Sequence, residues 1–291
     1  MDIVAIGDNI SDCYQSVGQV FPGGNAVNVA VAAARAGGTT AYIGAVGDDP
    51  RGRLLIAALT AESVDTGRVR VVPGQTACCD ITHADGERLF GTTRRGVALF
   101  QPAEDDFVLA ATASMLHTTY CSGMEEFLPR LAAGGPVSFD FSGHIGDGYA
   151  DELLPHVQVA EFSAAHLDEG EAAELLRWAA DRGPRYVLAT RGARGAMLFD
   201  GEHTVSVAAA PSPSPVVDTL GAGDSFIGRA LFGLVHHEPA AELLSAAATA
   251  AAETCLSWGA FGHGTNLLSC CGGHTDVAAA PALLKSVRVQ P

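Results

Sequence analysis

The stretch that decides the fold runs from 217 to 226 and reads Val217-Asp218-Thr219-Leu220-Gly221-Ala222-Gly223-Asp224-Ser225-Phe226. It follows a proline-rich loop and precedes a helical pattern of apolar residues over 226–235. Small residues at a helix N-terminus let an anion approach free backbone N–H groups and the positive end of the helix dipole. The carboxylate of Asp224 then lies within reach of a hydroxyl that attacks the bound anion. The alternative is a plain helix cap with Asp224 in the first turn.

Outward from this stretch, apolar strand-like runs alternate with segments of helical period. Strands are predicted at 3–6, 41–46, 137–141, 157–162 and 186–189, and helices at 26–36, 54–61, 150–154 and 169–180. Alternation of this kind is typical of a parallel sheet with helices on its faces. The sequence therefore predicts an α/β sandwich.

Residues 68–100 follow a different pattern, with short strands predicted at 69–72, 77–82 and 88–91 and a turn at 84–87. A meander of this kind suits a small β subdomain over a cleft, which we call the lid and which also takes in residues from about 9 to 20. The segment 266–291 has no clear period and is predicted as a tail of unknown role. Residues 1–265 are then one domain.

The composition limits the classes of partner. The chain has 33 acidic and 17 basic residues and a formal charge of −16, which opposes attraction to nucleic acid. The start has neither a basic region nor a long apolar stretch, and the apolar run 243–256 is interrupted by polar residues, so we expect no signal peptide and no membrane span. Seven cysteines without metal-ligand spacing favour reduced thiols and a cytoplasmic location.

The nine residues that begin at Asp218 read Asp-Thr-x-Gly-Ala-Gly-Asp-Ser-Phe and closely resemble the C-terminal signature of the PfkB carbohydrate kinase family. The resemblance implies a ribokinase-like three-layer sandwich with a mostly parallel central sheet and a small β lid. It also implies ATP and Mg²⁺, with Asp224 as the catalytic base. The backbone of Gly221, Ala222 and Gly223 is then the anion hole.

A second string, Pro22-Gly23-Gly24-Asn25-Ala26-Val27-Asn28-Val29-Ala30, opens the first predicted helix. It resembles the family's N-terminal Gly-Gly motif, which binds the sugar. Two glycines let the backbone run close to a polyol, and the Asn28 amide offers both a donor and an acceptor to hydroxyls. The resemblance therefore assigns sugar binding to Gly23, Gly24 and Asn28. The alternative is a tight turn with Asn25 as the helix cap.

Two aspartates, Asp8 and Asp12, follow the first predicted strand. Sheets of this architecture place ligand contacts at the carboxyl ends of their strands. By its spacing from Gly7, Asp12 matches the family's sugar-binding aspartate. We predict that both side chains bind substrate, and the alternative is that they are solvated turn residues.

The segment Thr190-Arg191-Gly192-Ala193-Arg194-Gly195-Ala196 resembles the family's Thr-x-Gly-x-x-Gly nucleotide loop. The resemblance implies that Thr190, Gly192 and Gly195 contact ATP. Without the resemblance, two glycines three residues apart between strands indicate a plain β-turn.

Cation sites are less well defined. The family's Asn-x-x-Glu element, which helps to place Mg²⁺, belongs after strand 157–162, but the chain reads Ser163-Ala164-Ala165-His166-Leu167-Asp168-Glu169 there. Only Asp168 or Glu169 is left to act through water. Asp218 and the backbone near Leu220 correspond to positions that hold a monovalent cation such as K⁺ in many relatives.

Within the family, five segments look like the fructoselysine 6-kinase branch, whose members phosphorylate fructosamines at the sugar C6 hydroxyl. These segments are 6–9, 23–31, 46–49, 139–142 and 259–264. Arg94 and Arg95 put two cations in the lid where an amine-bearing substrate calls for acidic groups, so charge complementarity favours an anionic group on the substrate. The alternative is that these arginines are solvated or act on the ATP phosphates.

Two rival functions use the same fold. One is a nucleoside or ribose kinase; a nucleoside kinase needs an aromatic or apolar slot for the base, and none is identified in the predicted lid. An inactive sugar- or nucleotide-binding regulator is suggested by the missing Asn-x-x-Glu pair, although the intact Asp224 argues against it. We expect a small-molecule sugar as the partner, and only family analogy supports a homodimer formed through the lids.

Overall fold

The computed structural model describes residues 1–84, 87–146 and 148–270. Its strands are β1 Ile3–Ile6, β2 Ile10–Tyr14, β3 Gln19–Gly23, β4 Thr40–Gly47, β5 Val64–Val72, β6 Cys78–Ala84, β7 Glu87–Arg94, β8 Met115–Thr119, β9 Val137–Asp140, β10 Val159–Ser163, β11 Tyr186–Thr190, β12 Ala196–Phe199, β13 Thr204–Val207 and β14 Thr265–Asn266. Its helices are α1 Asn25–Arg35, α2 Pro50–Ala61, α3 Glu104–Ala110, α4 Leu128–Gly134, α5 Tyr149–Leu153, α6 Glu169–Ala180, α7 Ala222–Val235, α8 Ala240–Thr254 and α9 Leu267–Cys270.

The main sheet has nine strands in the order β13-β12-β11-β10-β9-β8-β1-β4-β5. Every pairing from β11 to β5 is parallel, and only β12 and β13 are joined by antiparallel pairings. The carboxyl ends of the parallel strands therefore share one edge, where ligand contacts are expected. The predicted mostly parallel α/β sandwich is confirmed.

Alternation along β1 explains the three layers. Val4 and Ile6 pack in the cluster that includes Phe139 and Phe162, whereas Ile3 packs on the other face with residues of α7 and α8. Because successive strand side chains point to opposite faces, both faces of this sheet carry helices. Among the helices of the described ranges, none is both long and apolar enough for a membrane span.

The prediction that Val69–Val72 belongs to the lid is wrong. These residues end β5, which pairs in parallel with β4 at the edge of the main sheet. Exposed and less exposed side chains alternate along β5, as they would in a hairpin, because β5 is an edge strand. Its Arg68 and Arg70 bind the buried carboxylate of Asp106.

The lid is a second sheet with the strand order β14-β3-β2-β6-β7. Its strand β14 ends on Asn266, the first residue of the predicted tail, which pairs with Gln19 of β3, so the prediction that the tail begins at 266 is wrong. Thr265 pairs with Val20, and Leu267 of α9 packs against Cys13, Val20 and Cys78. The rest of the predicted tail, 271–291, and the centre of the predicted turn, 85–86, lie outside the described residues.

Three polar side chains link the middle strands inside the core. His117 Nδ1 lies 2.8 Å from the Ser138 hydroxyl, which donates to Glu161 Oε1 at 2.6 Å. All three are buried, and burial lowers the pKa of His117 to about 3 and raises the pKa of Glu161 well above its ordinary value. His117 is therefore neutral at pH 7, and the Ser138 hydroxyl joins β8, β9 and β10.

Candidate functional site

A cavity of about 300 Å³ lies at the shared carboxyl edge of the strands, between the main sheet and the lid. Its floor is built by the residues that follow β1 and β8 and by the first turns of α1 and α7. Its roof comes from β2, β6 and β7. Most of the predicted sugar-binding and catalytic residues come together here.

Asp224 lies in the first turn of α7 and lines the cavity. Asn28, in the second turn of α1, donates through Nδ2 to Asp224 Oδ2 at 2.6 Å. The helices can approach this closely because residue 228 is glycine, where a Cβ atom would lie 2.5 Å from the Val29 carbonyl oxygen. The Asn28 Oδ1 atom is buried and has no hydrogen-bond partner among the described residues, which leaves an acceptor for a ligand hydroxyl.

The start of α7 presents backbone donors. The first bond along the helix runs from Ser225 N to Gly221 O at 2.8 Å, so the N–H groups of Gly223 and Asp224 have no intrahelical acceptor. Gly221 has a φ of 76°, which favours glycine, and it turns the chain into the helix. The predicted anion-hole residues therefore lie at a helix N-terminus, where N–H groups and the dipole attract negative charge.

Asp218 is surrounded by donors. Its Oδ1 accepts the Leu220 N–H at 3.0 Å, and its Oδ2 accepts the Gly259 N–H at 3.1 Å and the hydroxyl of Tyr14. The hydrogens of N–H and O–H groups that donate to a carboxylate lie where a cation bound to the same oxygens would have to lie. The residues present therefore do not fit the predicted monovalent cation site at Asp218 and Leu220.

The two aspartates after β1 differ in what their carboxylates do. Asp12 is buried on β2 and lines the cavity, and it lies over Gly23, where a Cβ atom would come within 2.6 Å of Asp12 Oδ2. Asp8 also lines the cavity, but its carboxylate accepts the N–H groups of Asn25 at 2.8 Å and Ala26 at 3.2 Å. It therefore caps α1 from a distance in sequence, which replaces the alternative of Asn25 as the cap.

The backbone conformation at residue 24 requires glycine. It has a φ of 116°, and a Cβ atom there would lie 2.6 Å from the Asn9 Cα atom. Gly24 lines the cavity beside Asn25, so the chain runs close to the space in which a ligand would lie. Sugar binding by the two glycines stays a prediction.

The two lid arginines lie on different faces. Arg95 lines the cavity and is exposed, and its side chain makes no hydrogen bond or ion pair with any residue of the described ranges. Arg94 points to the outer face, where it lies 3.5 Å from Cys78 Sγ and 3.5 Å from Asp80 Oδ2. The geometry therefore supports only one arginine of the predicted pair as a substrate contact.

The cavity has an apolar wall that the sequence did not reveal. Ile10, Phe90 and Leu99 line it, and Phe90 is 60% exposed. The statement that the lid offers no apolar slot is wrong, because Phe90 lies in a strand whose pattern did not show which face is turned inward. Tyr120 and Cys121 were also missed, because the polar residues of β8 concealed the strand that they follow.

Asp140 lies at the end of β9, beside this site. Its Oδ1 accepts the Ser142 N–H at 2.7 Å and its Oδ2 accepts from the Asn25 amide at 3.2 Å. Burial, opposed by the Ser142 hydrogen bond, raises its pKa from 3.8 to about 6. The unfolded chain therefore releases the Asp140 proton at a lower pH than the folded protein does. As a result, the contribution of Asp140 to the free energy of unfolding declines as pH rises from about 4 to about 6.

We expect Asp140→Asn, which removes this titration, to gain stability relative to the wild type over that window. The difference in free energy of unfolding between variant and wild type should rise by roughly 2 kcal/mol between pH 4 and pH 7. Urea denaturation at a series of pH values measures it, with Asp48→Asn on an exposed side chain as the control. A difference that stays constant from pH 4 to pH 7 would contradict the raised pKa.

The predicted nucleotide loop lies further along the same edge. Thr190 ends β11, which is four strand positions from β1 and so about 19 Å away. Gly192 and Gly195 have φ values of 57° and 88°, and a Cβ atom at Gly195 would lie 1.9 Å from the Val207 carbonyl oxygen. Both glycines are thus needed for the turn itself. None of the three lines the cavity beneath the lid, and their contact with ATP stays a prediction.

The candidate Mg²⁺ residues have different surroundings. Asp168 caps α6, with its Oδ1 accepting the Glu171 N–H at 2.9 Å, while Glu169 is exposed in the first turn. Across the described ranges, no group of three or more His, Cys, Asp or Glu residues could hold a metal ion. A Mg²⁺ ion that is bound largely by nucleotide phosphates and water needs no such group.

Comparison with known proteins identifies the family. Residues 2–262 match the pfkB family carbohydrate kinase profile. The chain is 37% identical to fructosamine kinase FrlD of Bacillus subtilis (strain 168), over 91% of this chain and 94% of that protein. It is also 37% identical to fructoselysine 6-kinase of Escherichia coli (strain K12), over 79% of this chain and 88% of that protein.

Solved structures agree on the fold. The structure of Arabidopsis thaliana ribokinase complexed with ribose and ATP superimposes with a TM-score of 0.80 at 22% identity, and it covers 93% of this chain and 97% of that one. The predicted ribokinase-like sandwich is confirmed by this likeness. Both strings that carried the resemblance, 22–30 and 217–226, lie inside the family match. The chain therefore belongs to the pfkB family of carbohydrate kinases and is an ATP-dependent enzyme of that family.

Proposed function

We propose that this enzyme transfers the γ-phosphoryl group of ATP to the C6 hydroxyl of a fructosamine, a fructose joined through nitrogen to an amino acid. The observation that carries the proposal is the pair formed by Asp224 and Asn28 at the base of the cavity, beside the N-terminal N–H groups of α7. The two relatives at 37% identity, a fructosamine kinase and a fructoselysine 6-kinase, support the choice of sugar.

Asp224 is proposed as the general base. Its Oδ2 accepts from the Asn28 amide, which orients the carboxylate to take the proton of the sugar hydroxyl as the hydroxyl oxygen attacks phosphorus. Asn28 Oδ1 and the buried carboxylate of Asp12 can accept hydrogen bonds from neighbouring hydroxyls of the sugar. These contacts would orient one primary hydroxyl toward Asp224.

The start of α7 is proposed as the anion hole. The N–H groups of Gly223 and Asp224 would donate to the oxygens of the transferring group, whose charge the helix dipole also stabilises. The exposed carboxylate of Glu169 could hold, through water, a Mg²⁺ ion bound with ATP, and such an ion would neutralise charge on the phosphates. ATP would reach the site from the side of Thr190, Gly192 and Gly195, with the lid excluding water from the sugar.

The lid suggests the character of the remaining part of the substrate. The Arg95 side chain has no partner among the described residues and faces the cavity, so it can bind a carboxylate through two parallel hydrogen bonds. Phe90 and Leu99 form an apolar wall in the same cavity. A fructosamine with an accessible carboxylate and an aliphatic chain would satisfy both features.

A substrate panel tests the function. ATP consumption in the presence of Mg²⁺ would be measured with fructoselysine, fructosamines of acidic amino acids, fructose, ribose and nucleosides. Nucleosides belong in the panel because the apolar wall could also pack against a base. Turnover with a fructosamine at least tenfold faster than with fructose, and phosphate on C6 of the product, is the expected result. Turnover only with ribose or nucleosides would overturn the proposal, and binding without turnover would indicate a regulator.

Arg95→Ala is expected to raise the KM for carboxylate-bearing fructosamines by about 10- to 100-fold, because a charge-assisted pair with the substrate is lost. The KM for fructose, which has no carboxylate, should change by less than about threefold. Arg94→Ala is the matched control, since Arg94 carries the same charge on the outer face. Equal effects of Arg95→Ala on both kinds of substrate would exclude carboxylate recognition by this residue.

A further inference from the structure

Tyr14 joins the lid to the start of α7. It is the last residue of β2, two positions after Asp12, and its side chain is fully buried. Its ring packs edge-on against Phe21 at 5.3 Å and Trp258 at 5.5 Å between ring centroids. Its hydroxyl donates to Asp218 Oδ2, 204 residues away in sequence. A packed ring fixes the direction of this hydroxyl, so the bond is built into the fold.

Asp218 gathers three parts of the chain at one carboxylate. Besides Tyr14, it accepts the N–H of Leu220, in the turn that leads into α7, and the N–H of Gly259, in the loop after α8. That loop packs against the turn, because a Cβ atom at Gly221 would lie 2.3 Å from the Ala260 Cβ atom. The position of the carboxylate therefore determines where the first residues of α7 lie.

We propose that Tyr14 is a positioning residue, whose hydroxyl holds Asp218 and through it the phosphate-binding donors of α7, and that it does so without an alkali cation. The proposal rests on the proposed role of these donors in phosphoryl transfer. A buried carboxylate is unfavourable unless donors or a cation compensate its charge. Here the Tyr14 hydroxyl and two backbone N–H groups supply that compensation.

Tyr14→Phe removes one donor and keeps the ring, so the aromatic packing is retained. Asp218 Oδ2 then loses a hydrogen bond in a buried place, and an alkali cation becomes a suitable replacement. We expect kcat in tetramethylammonium chloride to fall by about 10- to 100-fold, while the KM for the sugar changes by less than about threefold. Addition of KCl should restore at least a third of the lost kcat in the variant and leave the wild type unchanged.

Tyr149→Phe is the matched control, because the Tyr149 hydroxyl also donates to a carboxylate, that of Glu125 at 2.7 Å, away from α7. It should show neither the fall in kcat nor the response to KCl. A purely structural effect of Tyr14→Phe would lower thermal stability and activity together and would not respond to the identity of the cation. That result would overturn the proposal, as would stimulation of the wild type by K⁺ of more than about fivefold.

A second readout does not depend on turnover. Trp258 lies against the Tyr14 ring, and Trp178 is the other tryptophan of the chain. In a Trp178→Phe background, KCl titration of Tyr14→Phe should shift the fluorescence of Trp258 with saturation, whereas the same titration with Tyr14 intact should give no saturable change. If the wild type phosphorylates no sugar, the proposed function fails, and the titration still decides the role of Tyr14. A saturable change with Tyr14 intact would contradict it.

Discussion

Asp224→Asn is expected to lower kcat by about 10³-fold while the KM for ATP and for the sugar stays within about threefold. The asparagine has nearly the same shape and can keep the contact with the Asn28 amide, but it cannot take the proton of the attacking hydroxyl. The loss therefore falls on the chemical step. Steady-state kinetics with the preferred sugar of the panel measure it.

Asp151→Asn is a suitable control for this prediction, because Asp151 is an exposed residue whose partner is Arg182. It should leave kcat unchanged. Thermal melting of both variants checks that neither has lost the fold. An Asp224→Asn enzyme with near-normal kcat would exclude Asp224 as the base.

Gly221→Ala is expected to lower kcat by about 100-fold and the free energy of unfolding by about 2–4 kcal/mol. Residue 221 has a φ of 76°, and the added Cβ atom would lie 2.3 Å from the Ala260 Cβ atom and 2.7 Å from its Cα atom. The turn into α7 would have to move, and its N–H groups would move with it. Kinetics and urea denaturation measure the two effects.

Gly18→Ala separates the effect of a positive φ from the effect of the clash with Ala260. Gly18 has a similar φ of 62°, but no heavy atom lies within 4 Å of a Cβ atom added there. This variant should lose about 1–2 kcal/mol from the dihedral angle alone and keep its kcat. A Gly221→Ala enzyme that behaves like Gly18→Ala would show that the position of this turn has little influence on the transfer.

Local sequence signals predicted many of the helices and strands of the main sheet domain well. Helix α6 begins and ends where its apolar period indicated, because Asp168 caps it and Glu171 completes a capping box. Strand β1 is apolar throughout because both of its faces are covered. Strand β8 was not recognised, since its His117 and two threonines are polar, yet all of them are buried and His117 is bonded within the sheet.

Contacts between distant parts of the chain could not be predicted in the same way. The sequence predicted Asn28 as a sugar ligand and Asp224 as a base, but not that one holds the other, because 196 residues separate them. Asp8 looked like a ligand because it follows a strand, and only the packing of α1 against that strand end shows that it caps the helix. Arg95 lines the cavity and Arg94 lies on the outer face, and this difference depends on which face of the lid is turned inward. The local sequence pattern did not specify that face.

The pairing of β3 with β14 bears on how the protein is made. Val20 emerges from the ribosome well before Thr265, so its sheet is finished only after Thr265 has been synthesised. The loop that carries Gly259 is also synthesised late, and its N–H group donates to Asp218 in the turn before α7. A nascent or prematurely released chain therefore lacks an assembled turn before α7, even though the segment proposed to bind the sugar is already present. Because β3 and β14 are far apart in sequence, we expect phosphoryl transfer only after these later segments have been translated.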